Sequence, residues 1–409
     1  MPDGSHPPHR FGSLFAGTPA YDASLRRKRH AFGFLDQVCQ AIEPTETQQK
    51  RARDSYEAVG RWLAEDVLLV RALIYAQGSA ALGTMIKPIG RNEFDVDVIC
   101  RVPGYGRDLP PARLKAMVGD RLKAHGQYAK ILEEKPRCWR LNYAGEFHLD
   151  VTPSILNPAC ANGGELVPDR KLRDYKATNP VGYRKLFEHR AELAILVRLA
   201  KALDGRVHAE VQPYPNHGLR KGVLRRTVQM LKSHRDHMFE TGDADLAPLS
   251  IIITTLAMRA YELCVQRYPY DNELDLMCDT VRLMPVFIER QVRFGEPYFV
   301  VANETTEGEN FAEKWNDDPR LAVAFQQWHG RALAALEAIA EAEGLDRLQK
   351  SVSDAVGEAP VRKAAGDVAD SFARARATGT LGVAAGVGLA VASRAAAATP
   401  VPRNTFFGR

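Results

Sequence analysis

The sequence predicts an α+β fold in which a lobe of mixed strands and helices is followed by a helical lobe across a cleft. Three observations predict it. Two runs, EFDVDVIC ending at Cys100 and EFHLDVTPS ending at Ser154, alternate apolar and polar residues and are rich in β-branched and aromatic side chains, as half-buried strands are. Beyond Arg206 the apolar residues recur at helical spacing, most clearly in LRRTVQMLKSHRDHMF and SIIITTLAMRAYELCVQRY. No internal repeat is apparent.

In chain order, residues 1–23 read as a disordered lead-in. MPDGSHPPHR is polar and proline-rich with no apolar stretch, which predicts no signal peptide and a cytoplasmic protein. Residues 24–205 read as the first lobe. From about Leu25 to Ala72 the pattern is helical, with Phe32, Leu35, Val38 and Ile42 before a break at Pro44, and Tyr56, Val59, Trp62 and Leu63 after it. Thr45 and Gln48 stand at capping-box spacing. A further helix is expected over Pro111 to Lys123, with alternating segments around Lys130 and Arg140. Residues 206–358 read as the helical lobe, and 359–409 as a flexible tail rich in alanine and glycine. Within the tail, GTLGVAAGVGLAVAS is shorter than the roughly twenty residues a bilayer span needs, so no membrane insertion is expected.

Composition narrows the function classes. A chain of 409 residues, 45% hydrophobic and 26% charged, is an ordinary soluble protein of about two to three domains. The formal net charge of +5 suits polyphosphate ligands but does not by itself mark a DNA- or RNA-binding surface. Six cysteines are scattered without a C-x-x-C pair, which argues against a zinc ribbon or redox motif and for a reducing setting. His234 and His237, three apart on an expected helix, are read as surface or interface residues because no further ligands accompany them.

The residues that carry chemistry are a Gly78-Ser79 turn, Gly83-Thr84 after it, and Asp95, Asp97 and Asp150 on the two expected strands. Two-residue spacing places Asp95 and Asp97 on one face, with Val96 and Val98 toward the core; Asp150 and His148 face away from Phe147, Leu149 and Val151. A lone D-x-D also fits a solvated strand edge. The combination of turn, paired aspartates and a third strand aspartate fits a two-metal site for transfer at the α-phosphate of a nucleoside triphosphate. Such transfer needs mainly positioning and charge compensation, which Mg²⁺ held by a few carboxylates supplies. Gly78 lets the backbone approach a triphosphate, and Ser79 offers a hydroxyl and an N–H to its phosphates.

The stretch YAQGSAALGTMIKPIGRNEFDVDVICRV, with FHLDVTPS after it, resembles the DNA polymerase β-type nucleotidyltransferases, and among them the bacterial cGAS/DncV-like enzymes, or CD-NTases. RTVQMLKSHRDHMF with PLSIIITTLAMRAYE resembles their oligoadenylate-synthetase-like helical domain, and ETTEGENFAEKW their E-N-F-A-x-K-W element. The matches span most of residues 70 to 330. The resemblance implies a polymerase β-like catalytic lobe whose long N-terminal helix joins it to the helical lobe. It implies a cyclic di- or trinucleotide second messenger made from ATP and other ribonucleoside triphosphates in CBASS antiphage defence, with two Mg²⁺ ions, or Mn²⁺ in their place, as cofactor. Residue by residue, it gives Asp95, Asp97 and Asp150 the metal and catalytic roles, and Gly78, Ser79, Lys232 and Ser250 the nucleotide-binding roles. Lys232 read alone fits a phosphate partner or a solvated helix face equally, and Arg235, one turn on, shares the task or is exposed. ANETTEGENF lacks the Asn-Pro pairs that often precede E-N-F in relatives.

The family also implies partners: a HORMA-type activator, or a ubiquitin-transfer-like ligase acting on an aromatic-glycine C-terminus. Phe406-Phe407-Gly408 resembles such an ending, but Arg409 follows it, and an ordinary disordered terminus fits as well. Two other function classes stay open at the sequence level. The same carboxylates would serve an enzyme making linear oligonucleotides or modifying an RNA or protein acceptor. An inactive scaffold is disfavoured, since all three carboxylates are present.

Overall fold

The computed structural model describes residues 18–69, 71–87, 93–169, 171–193, 221–384, 388–391 and 398–400. These divide into two compact units, one of Met1–Ile42, Tyr270–Cys278 and Leu333–Arg409, the other of Glu43–Pro269 and Asp279–Ala332. The boundary expected at Arg206 lies outside the described residues.

In the first unit α1, Pro19–Ile42, begins inside the stretch read as lead-in and buries Phe34, Leu35, Val38 and Ile42 along one face. Lys28 pairs with Asp275 at 2.8 Å, tying α1 to the 270–278 segment. The tail departs from expectation. Glu358–Ala377 is a helix packed beside α1, with Val361 and Ala364 buried, and Leu381–Ala384, Gly388–Val391 and Ala398–Pro400 form a three-stranded antiparallel sheet. Alanine has the highest helix propensity, and small residues at helical spacing allow close helix packing. The shift in composition therefore marks a change of packing partner. Residues 1–17 and the Phe406–Arg409 ending lie outside the described residues.

The second unit opens with α2, Glu46–Ala64, whose capping box is formed: the Thr45 hydroxyl accepts from the Gln48 N–H at 3.3 Å, and the Gln48 side chain accepts from the Thr45 N–H at 2.9 Å. Helix was expected to run to Ala72, but it stops at Ala64. The Asp66 carboxylate accepts from the Leu68 N–H at 2.8 Å, a side-chain turn that competes with the helical bond.

Seven strands form one mixed sheet: β1 (Leu73–Gln77), β2 (Phe94–Arg101), β3 (Leu132–Glu134), β4 (Trp139–Tyr143), β5 (Phe147–Leu156), β6 (Glu165–Pro168) and β7 (Tyr175–Thr178). The main order is β1-β2-β5-β4-β3, with β6 pairing both β5 and β7. β2 and β5 are parallel, and the other pairs are antiparallel. Alternation decides which side faces the core: Phe94, Val96, Val98, Leu141, Phe147, Leu149 and Val151 are buried together on one face.

Helices α3 (Gly78–Leu82), α4 (Pro111–Lys123), α5 (Tyr128–Ile131) and α6 (Pro180–Glu192) complete this part; α7 (Gly222–Met238) and α8 (Ser250–Arg267) pack on each other. The segment Ala244–Arg267 is long and apolar enough to cross a membrane, yet 67% of its most apolar window is buried inside the protein, as in a core helix.

α4 closes the core by letting Trp139 against its backbone. A Cβ at Gly119 would lie 2.1 Å from the Trp139 ring, and the indole N–H donates to the Lys115 carbonyl at 2.8 Å. Gly119→Ala gains about 1 kcal/mol of helix propensity but overpacks a buried indole at a cost of about 1–3 kcal/mol. We expect a net loss, read as a melting temperature lowered by a few degrees.

Candidate active site

β1 delivers the chain into the Gly78 turn. Gly78 has φ +60°, and a Cβ there would meet the Asp97 carboxylate at 2.3 Å, so the glycine is required both by its backbone conformation and by the approach of Asp97. The short α3 ends at Gly83, φ +71°. The Thr84 N–H then donates to the Ser79 carbonyl at 3.0 Å, and the Thr84 carbonyl accepts from the Lys232 ammonium at 2.9 Å. The G-S-x-x-x-G-T run is thus one closed turn anchored to α7.

The register of β2 and β5 sets Asp97 opposite Asp150 and Asp95 opposite His148. Burial, with repulsion from Asp150 and Asp95, pushes the Asp97 carboxyl up to about 7, against the opposing pull of Lys232 and Arg140. Arg140 is the register partner of Asp150 on β4. Its guanidinium forks onto Asp150, Nε to Oδ1 at 2.7 Å and Nη2 to Oδ2 at 2.7 Å, and Nη2 also reaches Asp95 Oδ1 at 3.1 Å. His148 stands with Nδ1 3.2 Å from Asp95 and Nε2 3.2 Å from Glu93.

Three carboxylates on one sheet face are the hard-oxygen set that Mg²⁺ takes. The upward shift of Asp97 comes first from burial and then from the neighbouring carboxylates Asp150 and Asp95. As the side chains stand, no three metal-ligating groups among the described residues close on one point. Arg140 holds two of the three carboxylates.

The opposite wall comes from α7 and α8. Lys232 is buried, and burial lowers its ammonium to about 8, with Arg235 adding to the effect. Arg235 is half-buried at the cleft and is not a free cation. Its Nη1 donates to the Ser250 hydroxyl at 2.8 Å and to the Pro248 carbonyl at 3.0 Å, and its Nε donates to Asp236 at 2.8 Å. Because Ser250 Oγ accepts from Arg235, its own proton is left to donate elsewhere. Gly78, Ser79, Asp95, Asp97, Lys232 and Ser250 all line one cleft of about 290 Å³; Asp150 does not line it and lies against Arg140.

Other expectations resolve differently. His234 is half-buried near Trp328, with burial lowering its pKa to about 4, while His237 lies 3.7 Å from Glu240. In the E-N-F-A-x-K-W element, Asn310 is a strut: its side chain accepts from the Val301 and Ala312 N–H groups and donates to the Phe299 carbonyl, each at 2.9 Å. Sequence reasoning missed Arg140. The signal was present in WRLNY, where the alternation that buries Trp139 and Leu141 places Arg140 on the carboxylate face.

Residues 33–190 match the Second Messenger Oligonucleotide or Dinucleotide Synthetase domain, SMODS. A c-di-GMP synthase of Roseivirga ehrenbergii is 31% identical over 382 residues, covering 91% of this chain and 96% of that protein. The cyclic dinucleotide synthase CdnG of Bradyrhizobium diazoefficiens is 25% identical over 287 residues, 65% of each chain. In structure, the fold is similar to CdnG solved with GTP, with TM-score 0.61 at 20% identity over 84% of this chain and 99% of that one. It is also similar to Escherichia coli CdnC solved with a HORMA protein, with TM-score 0.56 at 11% identity over 81% and 97%. The chain belongs to the second messenger oligonucleotide or dinucleotide synthetases, the CD-NTase family of nucleotidyltransferases.

Proposed function

We propose that this nucleotidyltransferase joins two ribonucleoside triphosphates, at least one of them GTP, into a cyclic dinucleotide signal for antiphage defence in the cytoplasm. The observation that carries this reading is a cleft with Asp95 and Asp97 on one wall and Ser79, Lys232 and Ser250 around it. Support for guanine comes from the c-di-GMP synthase at 31% identity.

In this reading Asp95, Asp97 and Asp150 would hold two Mg²⁺ ions, or Mn²⁺. Bound there, the ions offset phosphate charge and lower the pKa of the attacking hydroxyl. Lys232 binds the triphosphate as a point charge, its ammonium already pinned by the Thr84 carbonyl. Ser250 donates its hydroxyl proton to a phosphate oxygen, oriented by Arg235 from behind. Ser79 donates from the turn. In each transfer a ribose hydroxyl of one nucleotide loses its proton to solvent as its oxygen bonds to the α-phosphorus of the other, the α–β bridging bond breaks, and pyrophosphate leaves. A second transfer within the linear intermediate closes the ring. Burial of Lys232 in the cleft wall keeps its charge poorly hydrated, which strengthens its pull on the phosphates.

The test is incubation with the four ribonucleoside triphosphates and Mg²⁺, phosphatase treatment and mass spectrometry. We expect a phosphatase-resistant, guanine-containing cyclic dinucleotide and release of one pyrophosphate per bond formed. A product that loses terminal phosphate would assign the chain to linear oligonucleotide synthesis instead.

A further inference from the structure

Arg140 has no part in the reading above, yet it makes the densest set of charged contacts on the carboxylate face. Its Nη2 is shared between Asp150 Oδ2 at 2.7 Å and Asp95 Oδ1 at 3.1 Å, while Nε takes the other Asp150 oxygen at 2.7 Å. A cation held jointly by these two carboxylates competes for the same oxygens. We propose that Arg140 is a resident counter-ion occupying the place of a divalent cation between Asp95 and Asp150, so that the site takes up metal only when the guanidinium is displaced. The inference rests on the three-carboxylate reading given above.

Two features of the sheet support a movable guanidinium. The first is the acceptor on its other side: Arg140 pairs in register with Asp150 on β5 and with Glu133 on β3, so a carboxylate flanks it in both directions. Glu133 is exposed, and its present partners are Lys135 and Asn142. Swinging from Asp150 to Glu133 exchanges one charged acceptor for another across adjacent strands. The second is that the guanidinium bonds Asp150 and Asp95 and not Asp97, the third carboxylate of the face. The guanidinium therefore compensates the triad only in part. A divalent ion that reaches Asp97 as well offsets more charge, and triphosphate arriving on the Lys232 side adds ligands for it. Arg140 is on this view a positioning residue acting through Asp95 and Asp150, and it makes metal uptake depend on nucleotide.

The experiment is Mn²⁺ titration followed by electron paramagnetic resonance of the free ion, with and without a non-hydrolysable GTP analogue, and with melting in EDTA as the folding control. Wild type is expected to bind Mn²⁺ weakly alone and much more tightly with the analogue. Arg140→Gln should bind Mn²⁺ about tenfold tighter without nucleotide, the loss of a charge-assisted fork, and the analogue should then add little. Arg140→Lys keeps the charge but cannot bridge both carboxylates, so it should shift in the same direction. Unchanged or weaker Mn²⁺ binding in Arg140→Gln overturns the proposal, as does Arg140→Lys matching wild type, which would reduce the effect to net charge. Should Arg140→Gln fail to fold, Arg140→Lys alone decides, on the same criterion. If wild type with the analogue binds no Mn²⁺, or Asp97→Asn binds it as wild type does, the three-carboxylate reading itself fails.

Discussion

Asp97→Asn is expected to lower nucleotide joining by at least about a thousandfold, since in the proposed function Asp97 is a metal ligand, whose loss removes several kcal/mol of transition-state stabilisation. Steady-state pyrophosphate release at saturating GTP measures it. The same variant has a second readout in the absence of metal. In the folded chain the Asp97 carboxyl titrates near 7, pushed up by burial and by Asp150 and Asp95, whereas an aspartate in the unfolded chain titrates near ~3.9. The folded state therefore holds a proton that the unfolded state releases. The contribution to stability is complete below the unfolded value and is lost as pH rises through about 7. In EDTA, wild type should lose stability relative to Asp97→Asn as pH rises from about 4 to about 7, as measured by urea unfolding. Equal slopes for the two proteins would show that Asp97 is not the group responsible.

Gly78→Ala is expected to be nearly as damaging by a different route. The added methyl would stand 2.3 Å from Asp97 Oδ2 on a backbone at φ +60°. Alanine in that conformation costs about 1–2 kcal/mol, and the carboxylate must move to admit it. A displacement of about 1 Å at a reacting centre costs on the order of a hundredfold in rate. We expect kcat to fall by about that factor, with a melting temperature lowered only by a few degrees. Full activity in Gly78→Ala would mean that Asp97 is free to shift without consequence.

These two residues show what was legible in the sequence and what was not. Alternation alone gave the inward faces of β2 and β5, because a two-residue period leaves only one arrangement that buries Val96, Val98, Leu149 and Val151. The Pro111–Lys123 helix and the Thr45–Gln48 cap were legible for the same local reason. The contact of Gly78 with Asp97 was not, since it depends on β1 lying beside β2. Alternation in WRLNY puts Arg140 on the polar face of its strand, but its meeting with Asp150 depends on β4 pairing with β5, a fact of strand order that no local pattern encodes. The end of α2 was lost to a side-chain turn at Asp66, and the tail to reading alanine and glycine as flexibility.

The parallel pairing of β2 with β5 also determines where this chain can change length. Asp97 and Asp150 face each other only in the present register, and a one-residue insertion in either strand would turn its carboxylate into the core and a valine or leucine toward the nucleotide. The connection between them, residues 102–146, includes α4, α5, β3 and β4 and lies under no such constraint in its turns. Insertions and deletions should be tolerated at exposed turns such as Gly104 and Gly145, and be lethal to activity within the two strands. Length variation in this protein is therefore confined to the punctuation of the sheet, while the strands that carry the aspartates behave as a ruler.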